Sequence, residues 1–354
     1  LRGSVPGWLA RVDRVTPAEL LDDVLRQAAY AEELDGARAR QGRENVKKLR
    51  AIVRRLQNRG YLTMARLAEH LGRLSAGDDA NPSGLSTIRA YTPSRKDPYV
   101  LQAYGGDLRG NVWRFDLSDP DESKWKVELI AKLSDATGKE QPITTGVRIE
   151  IDQNNNVDRY LFVGTGKLLD QPDLDDVSVT NTLYVIRDGT RTAAEAKPAT
   201  PYSRTNLNAI DGSTVAGFTG PATGRGWYHD ASDPRQKIAT DVFADVQTVV
   251  YTFSKPADDP CEAVLSSALY ARDLNLGNSV LQSQGCAVVP AITDVGAIAG
   301  VALIQGQAGT GSASSGDIRV QVTTMKGQVF SFGIKLAGAS SARHRVSWRL
   351  LTRD

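Results

Sequence analysis

Oxygen-bearing side chains recur at every second position between residues 152 and 158. They are Asp152, Asn154, Asn156 and Asp158. Carboxylate and amide oxygens are the ligands that Ca²⁺ accepts, so this spacing makes the four residues a candidate calcium site. The segment lacks a turn glycine, however, and Tyr160 stands where a longer calcium motif would place its last carboxylate. The alternative is a polar hairpin turn, because Asn tolerates positive φ.

A stripe of cations lies on the helix that the sequence predicts over about 38–58. Its members, spaced by four, three and four residues, are Arg43, Lys47, Arg50 and Arg54. Such a stripe could neutralise the phosphates of a nucleic acid. A solvated outer helix face is the favoured explanation, because basic helices are common and no base-reading motif accompanies this one.

The remaining reactive side chains are few. Cys261 and Cys286 flank a predicted strand around Tyr270, and they form either a disulfide across neighbouring strands or two separate thiols. The three histidines, His70, His229 and His344, lack the spacing of metal ligands. Neither a nucleophile elbow nor a Walker-type phosphate loop is present, so we expect no catalytic group. Ca²⁺ is the one cofactor for which the sequence offers a candidate site.

Composition excludes several classes of protein. The 354 residues are 41% hydrophobic and 24% charged with a net charge of +2, which is typical of a globular chain and indicates no particular partner. No apolar run approaches the roughly 18 residues that a membrane-spanning helix needs, so no membrane span is expected. The first ten residues include Arg2, Gly3 and Pro6, and this predicts that the chain carries no signal peptide.

The elements that position these residues differ on the two sides of residue 80. The sequence predicts a small bundle of three helices in residues 1–80. The first helix begins at a capping box formed by Thr16 and Glu19, with Pro17 at the first helical position. The second covers about 38–58, and the third begins at Thr63. The bundle is near the lower size limit for independent stability.

Residues 81–354 are predicted to be mainly β, because short alternating runs are separated by Gly, Asp and Asn. Similar strand-and-turn patterns recur at 104–117, 181–189, 267–274 and 322–332. In the second of them we interpret Asp188-Gly189 as a turn. The aromatic residues of the four patterns are predicted to pack between successive sheets, and they are Trp113, Tyr184, Tyr270 and Phe330. The spacing favours a partial, incomplete β-propeller of about four units with exposed sheet edges.

The pattern GDLRGNVWRFDL at 106–117 is the most distinctive in the chain. With 81–85, 163–169, 225–228, 259–261 and 345–349, it resembles, in order, the C-terminal β-propeller of PilY-type type IV pilus proteins. The resemblance implies a non-enzymatic, surface- or pilus-associated module for pilus assembly, retraction and adhesion. It implies minor pilins and a host or abiotic surface as partners. At the position of the family's calcium loop, residues 91–98 carry one carboxylate and two cations, so that site is expected to be absent.

Residues 1–80 resemble a different family. The segments 5–25 and 43–71 are similar to a helical part of UvrD-like DNA helicases of the AddA type, which are cytoplasmic. The pairing of a cytoplasmic motor fragment with a pilus protein leads to the hypothesis of a chimeric reading frame joined near 79–82. We expect residues 1–80 not to pack on the β part. Two alternatives for function therefore stay open: DNA binding through the basic helix, and a quinoprotein-like propeller enzyme.

Overall fold

The computed structural model describes residues 8, 11, 15–27, 83–93, 100–219, 225–245, 247–256, 265–283, 286–305 and 318–335. These residues form one α-helix, sixteen β-strands and three short 3₁₀ turns. The description that follows concerns these ranges.

The single described helix, α1, runs from Pro17 to Gln27 and begins as the sequence predicts. The backbone N–H of Thr16 donates to the Glu19 carboxylate at 3.0 Å, and the N–H of Glu19 donates to the Thr16 hydroxyl at 3.4 Å. This reciprocal capping box satisfies backbone donors that the first helical turn leaves without partners. The predicted second and third helices lie outside the described residues, so the bundle stays a prediction.

The strands form four sheets that follow one another along the chain. Sheet I has the spatial order β1-β2-β3-β4, with β1 Arg89–Tyr91, β2 Gln102–Gly106, β3 Asn111–Asp116 and β4 Lys126–Lys132. Sheet II has the order β5-β6-β7-β9-β8, with β5 Arg148–Ile151, β6 Asp158–Gly164, β7 Thr182–Thr190, β8 Asn208–Ile210 and β9 Gly226–Asp230. Only the β8–β9 pair among the described strands is parallel.

The second half of the described β part contains two further sheets. Sheet III has the order β10-β11-β12, with β10 Phe243–Asp245, β11 Thr248–Pro256 and β12 Leu265–Asp273. Sheet IV has the order β13-β16-β15-β14, with β13 Leu281–Gln282, β14 Ile298–Gln305, β15 Ile318–Thr324 and β16 Val329–Ile334. Each sheet is built from strands that are close in sequence.

Three hydrophobic clusters hold these sheets face to face in chain order. Because successive strand residues point to opposite faces, β7 of sheet II places Tyr184 and Ile186 in the cluster shared with sheet I. The alternate residues Leu183 and Val185 enter the cluster shared with sheet III. A third cluster joins sheets III and IV. Sheets II and III are therefore apolar on both faces, whereas a solvent-facing sheet would alternate with polar residues.

The connections between sheets repeat a Gln-x-Ile pattern. Ile143, which leads from sheet I to sheet II, packs on Gly106, where any Cβ would collide with the isoleucine side chain. Ile238 leads from sheet II to sheet III and packs in the same way on Gly164. The glycine at each strand end gives the incoming chain space to approach the sheet closely. The connections from sheet I to sheet II and from sheet II to sheet III therefore share one packing arrangement.

The structure confirms hairpins at two of the four recurring patterns and corrects the turn predicted in a third. The patterns at 104–117 and 322–332 form the β2–β3 and β15–β16 hairpins. The interpretation of Asp188-Gly189 as a turn is wrong, because both residues lie within β7. Buried partners of the Asp188 carboxylate keep this carboxylate inside the sheet, as described below. The mainly β fold is confirmed, while closure or partial closure into a propeller stays a prediction.

Candidate functional site

Asp107 organises the tight turn of the distinctive pattern at 106–117. One of its carboxylate oxygens accepts the backbone N–H groups of Arg109 and Asn111, each at 2.9 Å. The other accepts the Asn111 side-chain amide at 2.9 Å and the Trp113 indole N–H at 2.8 Å. Gly110 completes the turn with φ +75°, and a Cβ there would overlap backbone carbonyl oxygens. The Asp-Leu-x-Gly-Asn pattern therefore encodes a turn.

The same turn chemistry recurs after β12. The Asp273 carboxylate accepts the backbone N–H groups of Asn275, Leu276 and Asn278 at 2.7–3.0 Å. Gly277, with φ +71°, takes the part that Gly110 takes in sheet I. A carboxylate that accepts several backbone N–H groups satisfies donors that strands cannot reach. The repeat is therefore one of turn geometry as well as of strands.

Arg114, in the same pattern, joins sheet I to sheet II through buried ion pairs. Its guanidinium donates to Glu128 at 2.7 and 3.0 Å and to Asp188 at 2.7 Å. The side chains of Arg114 and Asp188 are only 2% and 1% exposed. Burial acts to lower the pKa of Arg114, but the two carboxylates outweigh it and leave the pKa raised. The guanidinium is thus held fully charged between the sheets.

Two further side chains complete this inter-sheet polar cluster of Arg114, Glu128, Asp188, Tyr104 and Arg159. The Tyr104 hydroxyl donates to Asp188 at 2.7 Å, and burial followed by the Asp188 charge raises the Tyr104 pKa. Arg159 donates to the Asp188 carbonyl oxygen at 3.0 Å and lies 4.7 Å from the centre of the Tyr91 ring. Arg159 also lies 3.7 Å from the Asp188 carboxylate, and one of its guanidinium nitrogens has no hydrogen-bond partner among the described residues. The cluster therefore links the two sheets mainly through Arg114, Tyr104 and Asp188.

A cleft of about 340 Å³ opens beside this cluster, between sheet I and the segment 192–197. Arg114 and Glu128 of the cluster line the cleft, and Asp116, Lys126 and Lys197 add charges of both signs. Because its charges are mixed, the cleft does not present the single-sign field that nucleic acid binding needs. The cleft can bind polar groups of a partner, or charged groups of either sign, and the buried cluster gives it a rigid support.

The predicted calcium segment forms the hairpin turn between β5 and β6. Asp152 is buried, and its carboxylate accepts the Asn154 N–H at 2.8 Å and the Gln247 side-chain amide. The side-chain oxygen of Asn156 (φ +55°) accepts a hydrogen bond from Arg191. These hydrogen bonds occupy side-chain oxygens of Asp152 and Asn156, and they support the alternative of a polar hairpin turn.

The fourth predicted ligand of that segment, Asp158, also has protein partners. Its carboxylate accepts the Asn155 side-chain amide at 2.7 Å and lies 3.5 Å from the Arg187 guanidinium. In the part of the chain that the structure describes, no three His, Cys, Asp or Glu side chains are grouped to hold a metal ion. Calcium binding by Asp152, Asn154, Asn156 and Asp158 stays a prediction.

The other predicted sites lie partly or wholly outside the described ranges. The cationic stripe of Arg43, Lys47, Arg50 and Arg54 lies outside them, as does Cys261. Its predicted disulfide partner, Cys286, is exposed and has φ +62°. Both the nucleic-acid site and the disulfide therefore stay predictions.

The described histidine, His229, lies in an aromatic cluster between sheets II and III. Its Nδ1 is 2.5 Å from the Tyr251 hydroxyl, and the rings of Phe253 and Tyr270 meet it edge-on. Burial, reinforced by the positive charge of Arg272, lowers the His229 pKa to about 3. His229 is therefore a neutral core side chain.

Sequence reasoning missed the inter-sheet polar cluster. Asp188 resembled a turn residue because Asp-Gly is a strong hairpin signal, and Arg159 adjoins a polar turn. The available signal was the arginine of the VWRFD strand, since a charge within an otherwise apolar strand requires a buried partner.

Comparison with known proteins relates this architecture to one group. The chain is 28% identical over 182 residues to a type IV pilus biogenesis factor PilY1 homolog of Xylella fastidiosa, covering 50% of this chain and 14% of that protein. It is 26% identical over 246 residues to the type IV pilus biogenesis factor PilY1 of Pseudomonas aeruginosa, covering 53% of this chain and 21% of that protein. Over about half of its length, the chain is similar in sequence to PilY1.

The fold agrees with this sequence similarity. The crystal structure of the Pseudomonas aeruginosa PilY1 C-terminal domain superposes with a TM-score of 0.55 and 22% identity, covering 73% of this chain and 62% of that domain. The described sheets therefore have the fold of the PilY1 C-terminal domain. No protein-family model matches the chain. The chain spans about one fifth or less of the length of the PilY1 proteins that it matches in sequence.

None of the described helical residues forms a segment with the length and hydrophobicity to span a membrane. The comparisons above concern PilY1 alone. The helicase resemblance and the chimeric junction near 79–82 stay hypotheses.

Proposed function

We propose that this chain is a module of a PilY-type protein that serves type IV pilus biogenesis at the cell surface and acts without catalysis. The observation that carries the proposal is the sequence similarity to PilY1 over about half of the chain, together with the shared fold of the PilY1 C-terminal domain. Under this proposal, the partners are minor pilins at the pilus tip and a host or abiotic surface.

The side-chain geometry supports a structural role for the signature pattern. Asp107 uses its carboxylate to hold a turn, and Arg114 uses its guanidinium to join two sheets. Groups engaged in this way support a rigid scaffold, and rigid scaffolds present loops for binding. The non-enzymatic character and the adhesive role are parts of the proposal, as is a propeller-like arrangement of the sheets.

Fractionation tests the proposed location. In Pseudomonas aeruginosa PilY1, the matched segment would be replaced by residues 83–335 of this chain, with an epitope tag. We expect the tagged protein in the sheared-pilus fraction, and its loss from that fraction in a strain without the major pilin. A folded graft that remains in the cytoplasm, or that reaches the sheared fraction equally well without pilin, would contradict the proposal.

A further inference from the structure

A cavity of about 210 Å³ lies where sheets I, II and III approach one another, away from the polar cleft described above. One wall is apolar and consists of Leu108, Pro142 and Val179. The polar part of the lining comes from Lys167, Asp176, Asn181 and Lys237. A small cavity with apolar residues and more lysines than carboxylates in its lining has the character of a site for a small ligand with one negative group.

Lys237 is the unusual member of this lining. The residue is only 3% exposed, and its backbone is fixed by two hydrogen bonds to Ser254 of β11, at 2.8 and 2.9 Å. Its ammonium donates to the carbonyl oxygens of Asp176 at 3.0 Å and Arg235 at 3.3 Å. No carboxylate among the described residues forms an ion pair with it. An ammonium has three donors, and a buried charge without a counter-ion is costly.

The neighbouring charged side chains do not form an ion pair with Lys237. Lys167 is already paired with Asp173 at 2.8 Å. The Asp176 carboxylate, which also lines the cavity, accepts the Ser178 N–H at 2.8 Å. Burial lowers the pKa of Lys237, and Asp176 and its acidic neighbours only partly oppose that effect. An incoming anion would form the direct ion pair that these carboxylates do not make with Lys237.

The structural repeat shows that a lysine is not required for packing at this position. Lys237 is the central residue of the second Gln-x-Ile connection, and Pro142 is the central residue of the first. In both connections, the isoleucine makes the packing contact with the strand-end glycine. A charged residue therefore replaces a residue that only fills space, although its burial opposes charge.

We infer that this cavity is a carboxylate-binding site, in which the Lys237 ammonium pairs with the carboxylate of a small organic acid or of a polypeptide end and the apolar wall contacts its short side chain. The two sources share the same recognition chemistry. The cavity is too small for a larger ligand, since drug-sized sites occupy about 300–1,000 Å³.

The test uses the purified full chain and isothermal titration with N-acetylvaline, its neutral amide, and isobutyrate. We expect N-acetylvaline or isobutyrate to bind with a dissociation constant on the order of 1 mM, ordinary for so small a ligand, and the amide not to bind. Preference for N-acetylvaline would indicate a polypeptide end as the source, and equal binding of isobutyrate would indicate a free acid.

Variants separate the site from general effects. Lys237→Met should weaken carboxylate binding at least tenfold. Lys139→Met is the matched control, because the Lys139 ammonium donates to the Ser178 carbonyl of the same loop at 3.0 Å but does not line the cavity. Undiminished binding to a folded Lys237→Met variant, or no binding of either acid to the wild-type chain, would overturn the inference.

A second measurement needs no variant. Wild-type chain is treated with acetic anhydride, and acetylation of each lysine is read by mass spectrometry. N-acetylvaline should slow acetylation of Lys237 several-fold while leaving Lys139 unchanged, and the amide should protect neither. Equal protection by the amide, or no protection of Lys237, would overturn the inference even if Lys237→Met does not fold.

Discussion

Replacement of Asp188 by Asn tests whether the inter-sheet polar cluster holds sheets I and II together. The substitution removes the charge that pairs with Arg114 at 2.7 Å and accepts the Tyr104 hydroxyl at 2.7 Å, at a side chain that is 1% exposed. Breaking a buried ion pair costs about 3–5 kcal/mol. Because Arg114 keeps Glu128 as a partner, we expect the free energy of unfolding to fall by about 3 kcal/mol, the lower end of that range.

The assay is urea unfolding of the full chain followed by tryptophan fluorescence, which reports on the buried Trp227 and on Trp113. Glu140→Gln is the matched control, because its partner Arg109 lies 3.3 Å away and both side chains are more than one third exposed. That exposed pair should contribute less than about 1 kcal/mol. A loss below about 1 kcal/mol for Asp188→Asn, comparable to the control, would refute the reasoning.

The remaining predictions concern the signature turn and the buried histidine. Gly110→Ala should lower the free energy of unfolding by more than about 2 kcal/mol, because the new Cβ would overlap backbone oxygens. Gly138→Ala is the control, since Gly138 has φ +87° but open space around it, and it should cost only about 1 kcal/mol. Equal losses in urea unfolding would contradict the steric argument. Asp107→Asn should cost about 2 kcal/mol, because charge-assisted hydrogen bonds to N–H donors become neutral, and a red shift of tryptophan emission should accompany it; a variant as stable as wild type would oppose this. His229 has a folded-state pKa of about 3, below its unfolded value of about 6.5. Between these pH values the unfolded chain therefore binds one more proton than the folded chain. The free energy of unfolding should fall by about 1.4 kcal/mol per pH unit as the pH drops below about 6.5. His229→Phe should remove this dependence between about pH 6.5 and 5, and an unchanged slope would show that another group causes it.

The sequence predicts the hairpins well because strand and turn signals are local. The Asp107-to-Asn111 turn and the β15–β16 hairpin both follow from residues within a dozen positions of one another. The position of Asp188 could not be predicted from local sequence, because its partners Arg114 and Tyr104 lie 74 and 84 residues away and only the packed sheets bring them together. A local Asp-Gly preference was overridden by long-range pairing.

The same distinction applies to the sites. The turn at 152–158 could be predicted as either a metal loop or a hairpin, because both use alternating oxygen-bearing residues. Gln247 and Arg191, which occupy oxygens of that turn, come from distant segments. The burial of Lys237 was also beyond sequence reasoning, because it depends on three sheets meeting around one cavity.

Surface piliation of the grafted strain tests the central claim most directly. Pseudomonas aeruginosa in which residues 83–335 of this chain replace the matched segment of PilY1 would be compared with a strain lacking PilY1 and with a graft carrying Asp188→Asn. The account predicts that the graft restores surface pili and twitching motility, and that the destabilised graft restores less of both. A graft that is stable and exported yet leaves the strain without surface pili would contradict the account.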